Sequence, residues 1–345
     1  MAKPIVEPYP DFAVVANPPY PIANSEEMDS WWDLPYMRAP HPRYKEKPIP
    51  AWEMIKFSVN IHRGCFGGCS FCTISAHQRK FIQSRSEKSI FKEIYEISQL
   101  PDFKGYITDL GGPSANMYKM KGIDLQICEK CKKPSCIFPA ICKNLSHSHK
   151  PLLDLYRKAK SVEGVKKITI GSGVRYDLFA NQSDENNRKY LEELLRFHVS
   201  GRLKVAPEHT DKDVLKLMRK PSFKLFEELK ARFDSINRTY SLNQQIVPYF
   251  ISSHPGCTQG HMKQLAELLE KLRIRPEQIQ DFTPTPMTLA SAIFYTGTDP
   301  YTGKKVFVER SKEGKIKQRD TFFWQNKKSL PKPTKRSVHP KKINK

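Results

Sequence analysis

Short apolar runs alternate along the chain with longer segments in which apolar residues recur every three or four positions. The runs have the length and the β-branched content of strands, and the longer segments have the period of amphipathic helices. After the first run, for example, Ser86 is placed to cap a helix that carries Ile90, Ile94 and Ile97 on one face. The six runs predicted to be strands are KFSVNI (56–61), GYITDL (105–110), KKITIG (166–171), RLKVAP (202–207), NQQIVPYFI (243–251) and QIQDFT (278–283).

Strands that alternate with helices indicate a parallel sheet with right-handed crossovers. Six such units fit either a doubly wound sheet or a partial (β/α)6 barrel, and the pattern alone does not separate the two. In both cases the ligands belong at the carboxyl ends of the strands, in the loops that follow them.

The pattern divides the chain into three parts. Residues 1–55 are rich in proline and aromatics and predict a loop-rich lead-in. Residues 56–285 carry the strand and helix alternation, with a cysteine-rich insertion at 113–150. Residues 286–345 form a carboxyl-terminal extension whose basic, proline-broken end we expect to be disordered from about Ser329 onward.

The composition narrows the class of protein. A chain of 345 residues is long enough to bury a large core. No apolar run is long enough to span a membrane, and the first residues lack the layout of a secretory signal, so we expect a cytoplasmic protein without a membrane. Thiols stay reduced in that compartment, and eight cysteines therefore indicate metal binding more than disulfides.

The charge is strongly positive and concentrated at the end of the chain. The formal net charge is +22, and residues 302–345 contain 15 basic and 3 acidic side chains. Such a tail attracts polyanions, so nucleic acid is one candidate partner, and a solvated tail without a ligand is the other interpretation. Phe322, Phe323 and Trp324 could stack on bases or anchor the tail to the domain.

Three cysteines follow the first predicted strand, in NIHRGCFGGCSFC. Cys65, Cys69 and Cys72 stand among glycines, which favours a loop wrapped around a centre over a helix. Ligation by thiolates alone selects zinc or an iron–sulfur cluster. A structural zinc ion needs a fourth ligand, for which His62 and His77 are close enough in the sequence.

The arrangement Cys65-x3-Cys69-x-Phe71-Cys72 resembles the signature of radical S-adenosylmethionine (SAM) enzymes. The resemblance implies a partial barrel and a four-iron, four-sulfur cluster on these three cysteines. It also implies that SAM chelates the fourth iron, which has no protein ligand, and that Phe71 lies at the cofactor.

Other segments extend this resemblance. The LGGPS turn after the second strand is similar to the place where the superfamily binds the methionine part of SAM, which implies cofactor contacts for Gly111, Gly112 and Pro113. Glu208, at the end of the fourth strand, is implied as a further contact. Arg85, in QSRS, is implied as a contact to an anionic ligand, and the alternative is an exposed arginine beside the first helix.

Four more cysteines, Cys128, Cys131, Cys136 and Cys142, lie in the insertion. Four thiolates complete a tetrahedral site, so both structural zinc and a second iron–sulfur cluster fit, and free reduced thiols are the third interpretation. His147 and His149 follow closely, and we interpret them as surface residues more than as ligands.

At a finer level, residues 17–306 resemble the YgiQ family of radical SAM proteins, whose reaction is unassigned. Members of that family carry a large amino-terminal region that this sequence lacks, so the resemblance implies a separate polypeptide as a partner or a fragment of a longer protein.

The leading interpretation is a radical SAM enzyme that acts on an unknown substrate with a one-electron donor of the flavodoxin or ferredoxin type. Its catalytic residues are not identified by the sequence. Methylthiolation or methylation of RNA or protein by a radical SAM mechanism is the second interpretation. The third is a metal-stabilised nucleic-acid-binding protein without catalysis.

Truncation of the basic tail tests its assignment. We expect removal of residues 327–345 to leave SAM cleavage and cluster content unchanged and to weaken only the binding of polyanions, because the tail is too charged and too rich in proline to join a core. Cleavage assays and iron determination on the truncated protein measure both effects. Loss of the cluster would mean that the tail is structural.

Overall fold

The structure is a computed structural model that describes residues 4–18, 21–44, 47–179, 184–277 and 279–322. Predictions for the tail beyond Phe322, including disorder from Ser329, lie outside these residues. Within them, no helix combines the length and the apolar character needed to cross a membrane.

The strands are short apart from two in the second half of the barrel, and they are numbered in chain order. They are β1 (Ile5–Pro8), β2 (Ala13–Ala16), β3 (Ser58–Asn60), β4 (His62–Arg63), β5 (Gln83–Ser84), β6 (Tyr106–Ile107), β7 (Asp109–Gly111), β8 (Lys121–Gly122), β9 (Leu145–Ser146), β10 (Lys167–Ile168), β11 (Arg202–Glu208), β12 (Gln245–Ser252) and β13 (Ile279–Asp281).

The helices lie between these strands and after the last of them. They are α1 (Ser25–Trp32), α2 (Pro50–Ile55), α3 (Ile74–His77), α4 (Glu87–Ser98), α5 (Leu125–Glu129), α6 (Lys150–Ala159), α7 (Glu185–Glu193), α8 (Lys212–Met218), α9 (Phe223–Thr239), α10 (Gln259–Lys271), α11 (Leu289–Thr296) and α12 (Lys312–Asp320).

The parallel strands stand side by side in the order in which they occur in the chain. β3 pairs with β7, β6 pairs with β10, and β11, β12 and β13 pair in sequence. A parallel bridge from Val174 to Val205 joins the segment after β10 to β11. A doubly wound sheet reverses its strand order at a switch point, and this one does not. The fold is therefore the partial (β/α)6 barrel, open because no described pair joins β13 to β3.

All six predicted strands are confirmed, and the helices between them supply the crossovers. On α4, Ser86 accepts a hydrogen bond from the backbone N–H of Ser89 at 3.1 Å, as expected of a cap. The same helix buries Ile90, Ile94 and Ile97 completely in the barrel core. The spacing of apolar residues in the sequence thus predicts which face of α4 packs against the strands.

The lead-in contains more regular structure than the prediction of a loop-rich segment allowed. β1 and β2 form an antiparallel hairpin whose residues are all exposed, so it shows no alternation of apolar and polar positions. Helix α1 is only eight residues long and buries only Met28. Because neither element buries a face, neither produces a period that the sequence could reveal.

The carboxyl-terminal extension packs against the barrel. The amide of Gln318, on α12, donates to the carbonyl of Cys257 at 3.1 Å and its oxygen accepts from the N–H of Ser253 at 2.9 Å. The ring of Phe322 is buried and stacks on Phe250 with their centroids 6.2 Å apart. Of the three aromatics considered as base-stacking residues, Phe322 is thus an anchor, and Phe323 and Trp324 lie outside the described residues.

The buried face of α4 allows a matched test of the core. We expect Ile94→Ala to reduce the free energy of unfolding by about 2–5 kcal/mol, because Ile94 is 0% exposed and its loss leaves a cavity. Tyr95→Ala, at a residue 49% exposed on the same helix, is the control and should change it by less than about 0.5 kcal/mol. Urea denaturation of the metal-free proteins measures both, and equal losses would contradict the assignment of the faces.

Candidate functional site

The three predicted cluster ligands lie in residues 64–72, which we call the cysteine loop. Two of its glycines, Gly64 and Gly68, have left-handed φ angles of 91° and 56°. A Cβ atom on Gly64 would lie 2.2 Å from the carbonyl oxygen of Phe81, so no other residue fits there. The loop forms no helix, as the glycines predicted.

The sulfur atoms of Cys65 and Cys69 face the same small space. They lie 3.3 and 3.5 Å from the point that a Cβ on Gly67 would occupy. Cys72 joins them through a turn in which its N–H donates to the carbonyl of Cys69 at 3.2 Å, and Cys69 and Cys72 line one cavity of about 270 Å³. The absence of a side chain at Gly67 keeps the space between the sulfurs open.

The three cysteine sulfurs of the loop fit a cluster of several irons better than a single metal ion. Within the described residues, no three His, Cys, Asp or Glu side chains converge on one ion position. A cluster stands between its thiolates and holds them farther apart than one tetrahedral ion does. The histidines considered for zinc are not placed as ligands, because the ring of His62 packs against Gly112 and His77 is exposed.

The protein alone does not favour the thiolate form of Cys72. Burial raises the pKa of the Cys72 thiol to about 11. Without a bound cation this thiol stays protonated at neutral pH, and a metal must displace its proton on binding.

A buried arginine that the sequence analysis did not identify lies beside the sulfurs of Cys65 and Cys69. The Nη1 group of Arg175 donates to the sulfur of Cys69 at 3.3 Å. Its Nε donates to the Asp177 carboxylate at 3.0 Å, and its Nη2 group forms the second bond of a bidentate ion pair. Burial raises the pKa of Asp177, but the adjacent guanidinium more than offsets this, so the pKa is below its usual range. The pair therefore presents one fixed positive group to the cysteine loop.

Two further polar residues hold Arg175 in position. The Asn116 side chain accepts from the backbone N–H of Arg175 at 2.7 Å and donates to its carbonyl at 3.0 Å. The same amide nitrogen donates to Nε2 of His149 at 3.0 Å, so Nδ1 of this histidine carries the proton and donates to Asn187. Burial lowers the pKa of His149 to about 4, which keeps the ring neutral. His149 is thus a buried positioning residue and not the surface residue that we expected.

A second pair of buried charges lies at the end of β11. Lys220 Nζ is 3.6 Å from Oε1 of Glu208, and both side chains are almost fully buried. Burial raises the pKa of Glu208 and Lys220 lowers it, with a net upward shift. The backbone of Glu208 has a left-handed φ of 67°, which is rare for a residue with a side chain. The predicted contact residue is therefore placed inside the barrel near the cysteine loop.

The glycine turn after β7 adjoins the cysteine loop. Ser114 Oγ lies 3.5 Å from the sulfur of Cys65, in the same turn as Gly111, Gly112 and Pro113. A Cβ on Gly112 would lie 2.5 to 2.8 Å from three atoms of the His62 ring, so this glycine is required by its histidine neighbour. Burial lowers the pKa of this ring to about 4, and an interaction with the Ser114 backbone in the same turn offsets part of that shift. Neither ring nitrogen makes a hydrogen bond of normal geometry with a described residue. Such ring nitrogens could form a hydrogen bond with a polar ligand bound in the turn.

Phe71 and Ser70 connect the cysteine loop to β12. The ring of Phe71 contacts the edge of His254 with centroids 5.9 Å apart. Nδ1 of His254 is 2.8 Å from the carbonyl of Pro255, so it carries the proton, and Nε2 accepts from the Ser70 hydroxyl at 3.3 Å. The aromatic residue of the motif is therefore packed against the barrel.

The prediction for Arg85 is wrong. Its side chain is 1% exposed, and all five of its N–H groups donate within the protein, to Ser89, to the carbonyl of Asn60 and to Glu93. The guanidinium also lies over the ring of Trp32 at 5.0 Å. No donor remains for an anionic ligand, and the alternative of an exposed arginine does not hold either.

The four cysteines of the insertion lie beside the cysteine loop. Cys128, Cys131, Cys136 and Cys142 are partly buried free thiols. A second cavity of about 730 Å³ separates part of the insertion from Arg219, and this arginine also borders the cavity of about 270 Å³ at Cys69. The cavity at Cys69 is lined by neither Gly111, Gly112 nor Pro113.

Two of the residues that the sequence analysis missed lie where ligand sites are expected, just after a strand. Arg175 and Asp177 come just after β10, in GSGVRYD, at the same carboxyl edge as the LGGPS turn. The rule that ligand sites follow strands would have identified them. Lys220 and His149 had no such signal, because they enter the barrel from helix ends.

The chain matches two family profiles. One, described as Radical SAM N-terminal, covers residues 1–58, and the other, Radical SAM superfamily, covers residues 59–269. The second match includes more than half of the chain and all three cysteines of the loop, so the chain belongs to the radical SAM superfamily.

Among curated proteins, the chain is similar to several named UPF0313 protein. It is 60% identical over 316 residues to one from Bacteroides thetaiotaomicron, covering 90% of this chain and 51% of that protein. It is 55% identical over 340 residues to one from Porphyromonas gingivalis, covering 97% of this chain and 54% of that protein. The chain thus spans about half the length of the curated relatives that it matches.

Among solved structures, the chain is similar to the radical SAM methyltransferase TsrM from Kitasatospora setae, which was solved with cobalamin and a [4Fe-4S] cluster bound. The similarity covers 77% of this chain and 46% of that one, with 14% identity and a TM-score of 0.43. At this level the likeness carries no conclusion about cobalamin or substrate.

The buried pair of Arg175 and Asp177 gives a test of the site. We expect Arg175→Gln to reduce the free energy of unfolding by about 3–5 kcal/mol, because it leaves a buried carboxylate without its cation. The double variant Arg175→Gln/Asp177→Asn carries no such charge and should recover most of that loss. Urea denaturation of the metal-free proteins compares them, and equal losses in both variants would contradict the charge-pair explanation.

Proposed function

We propose that this chain is a YgiQ-type radical SAM enzyme whose four-iron, four-sulfur cluster is bound by Cys65, Cys69 and Cys72. The observation that carries the proposal is that Cys65, Cys69 and the Arg175 guanidinium surround the space kept open by Gly67. Membership in the superfamily supports it, because three thiolates leave one iron of such a cluster free to bind SAM.

When bound, the cluster supplies the electron that cleaves the sulfonium of SAM and starts radical chemistry. The residues of the chain would bind the cluster and orient the groups around it. The Arg175 N–H that reaches Cys69 would donate to the thiolate and offset part of its charge. Asp177 keeps the guanidinium in that orientation through two bonds.

The proposed SAM contacts lie at the strand ends around the loop. Gly111, Gly112 and Pro113 form the turn for the methionine part, and the unpaired ring of His62 beside Gly112 supports a polar ligand there. Glu208, buried beside Lys220, is the proposed contact from β11. Phe71 is the proposed aromatic contact to the cofactor.

The reaction that follows SAM cleavage stays unassigned. Methylthiolation or methylation of RNA or protein has the same cofactor class, and no described residue singles it out. Binding of nucleic acid by the basic tail likewise stays a proposal, since the tail lies outside the described residues.

Two protein partners are part of the proposal. A one-electron donor of the flavodoxin or ferredoxin type would reduce the cluster, and the net charge of +22 would attract an acidic donor. A second protein contact is supported by the surface of the lead-in, which exposes a concentration of large apolar side chains. They include Ile5, Val6, Phe12, Val14, Val15, Leu34, Tyr36 and Met37.

Reductive SAM cleavage tests the proposed function. After anaerobic reconstitution, we expect the dithionite-reduced protein to convert SAM into methionine and 5′-deoxyadenosine, and the cluster spectrum to change on addition of SAM. Replacing Cys65, Cys69 and Cys72 by alanine should lower the product by at least about a hundredfold, because the irons lose their ligands.

The control is Cys257→Ser, since Cys257 lies outside both cysteine groups, against His209 and Gln318. It should keep the activity. SAM cleavage at the wild-type rate in the triple variant would refute the assignment of the cluster ligands.

A further inference from the structure

The insertion that carries the other four cysteines packs directly on the cysteine loop. The N–H of Cys136 donates to the carbonyl oxygen of Phe66 at 3.1 Å, and the Ser135 hydroxyl donates to the same oxygen at 3.2 Å. The backbones also touch at Gly68, where a Cβ would lie 2.2 Å from the carbonyl oxygen of Pro134. The position of the loop between Cys65 and Cys69 therefore depends on the position of residues 134–136.

Backbone hydrogen bonds link the four cysteines in two pairs. The N–H of Cys131 donates to the carbonyl of Cys128 at 3.1 Å, and the N–H of Cys142 donates to the carbonyl of Cys136 at 2.8 Å. Asn144 joins the pairs, because it stands two residues after Cys142 and its amide donates to the sulfur of Cys128 at 3.3 Å.

Polar donors are directed at two of these sulfurs. Besides the Asn144 amide on Cys128, the ammonium group of Lys80 donates to the sulfur of Cys131 at 3.3 Å and to the carbonyl of Lys133 at 2.6 Å. Donors of this kind orient and stabilise thiolates that bind a metal. Lys80 also lines the cavity at Cys69 and Cys72, so one side chain binds the insertion and borders the cavity beside the other cysteine group.

The insertion has little else to hold it together. Between residues 123 and 145, only Ser135, Ile137 and Leu145 are buried, and the only helix there is the five-residue α5. A segment without a core of its own gains most of its order from a crosslink, and thiolate ligation by metal is the crosslink that reduced cysteines allow.

We propose that Cys128, Cys131, Cys136 and Cys142 bind a second thiophilic metal centre, and that this centre holds the cysteine loop in the position needed by Cys65, Cys69 and Cys72. Zinc and an iron–sulfur cluster both accept four thiolates. As at the cysteine loop, no three described thiols converge on one ion position here, so the geometry favours the cluster and makes zinc the other outcome of the metal test. The metal fixes the two thiol pairs, and the hydrogen bonds to Phe66 transmit that order to the loop. The proposal does not depend on SAM cleavage, because the second ligand set is complete without the first.

Metal content in the absence of the first site tests the binding. The background is the full chain with Cys65, Cys69 and Cys72 replaced by alanine, purified without oxygen. We expect about one zinc ion, or about two to four irons with cluster absorption, per chain. Adding Cys128→Ala and Cys131→Ala should remove that metal, and adding Cys257→Ser should not. Metal no higher than in a variant that lacks all seven thiols would overturn the proposal.

Hydrogen exchange in the same background tests the coupling. Removing the metal with a chelator should speed amide exchange in residues 64–72 by about tenfold or more, because the loop loses its ordered neighbour. Exchange that rises in residues 123–145 alone would overturn the positioning role.

Ser135→Ala gives a second test that keeps every thiol, should metal-free protein fail to fold. This variant should retain its metal and still show faster exchange at the loop, because it loses a bond to Phe66. Exchange at the wild-type rate would contradict the coupling. Loss of the metal would contradict it too, because the Ser135 hydroxyl would then act on the metal site through the bonds that it accepts from the N–H groups of Ile137 and Phe138.

Discussion

The cysteine loop cannot hold its own shape, and the architecture around it follows from that constraint. A stretch with three glycines and two left-handed positions has no helix or sheet to fix it. Its backbone is instead bonded to other segments, through Cys65 N–H to Arg79, Ser70 N–H to Met218, and the Ser70 carbonyl to Ala290. Arg219 and the insertion complete the enclosure at Gly68. The barrel, the insertion and the carboxyl-terminal extension all serve to position nine residues.

Buried charges also help to position the groups around the thiols. The barrel interior buries two ion pairs near the thiols, Arg175 with Asp177 and Lys220 with Glu208. A buried pair contributes little net stability, but it fixes the direction of its members when each also has hydrogen bonds. Asn116 fixes the backbone of Arg175 and Asp177 orients its guanidinium, which donates to Cys69. The site thus has a positive group in place before any metal arrives.

The sequence predicted the parts of the fold and site that depend on local pattern. Six strands, the cap at Ser86 and the cysteine loop have their signals within a few residues of each other. Arg85 shows why other predictions were wrong, since its burial is decided by Glu93 and Trp32, which come from other elements. His149 resembles a surface histidine until Asn116 and Asn187 are known to flank it. Roles set by partners distant in the chain leave no local pattern to find.

The hydrogen bond between Ala290 and Ser70 also determines which of the two cysteine groups can reach its final structure first during synthesis. The ribosome releases the cysteine loop more than two hundred residues before α11, so the loop lacks one of its fixed neighbours until α11 has emerged. The thiols of the insertion are bonded by Lys80 and Asn144, which are both available once residue 144 has emerged. A nascent chain would accordingly complete the ligand set of the insertion first, and the loop would acquire its final shape only as the carboxyl-terminal helices fold over it.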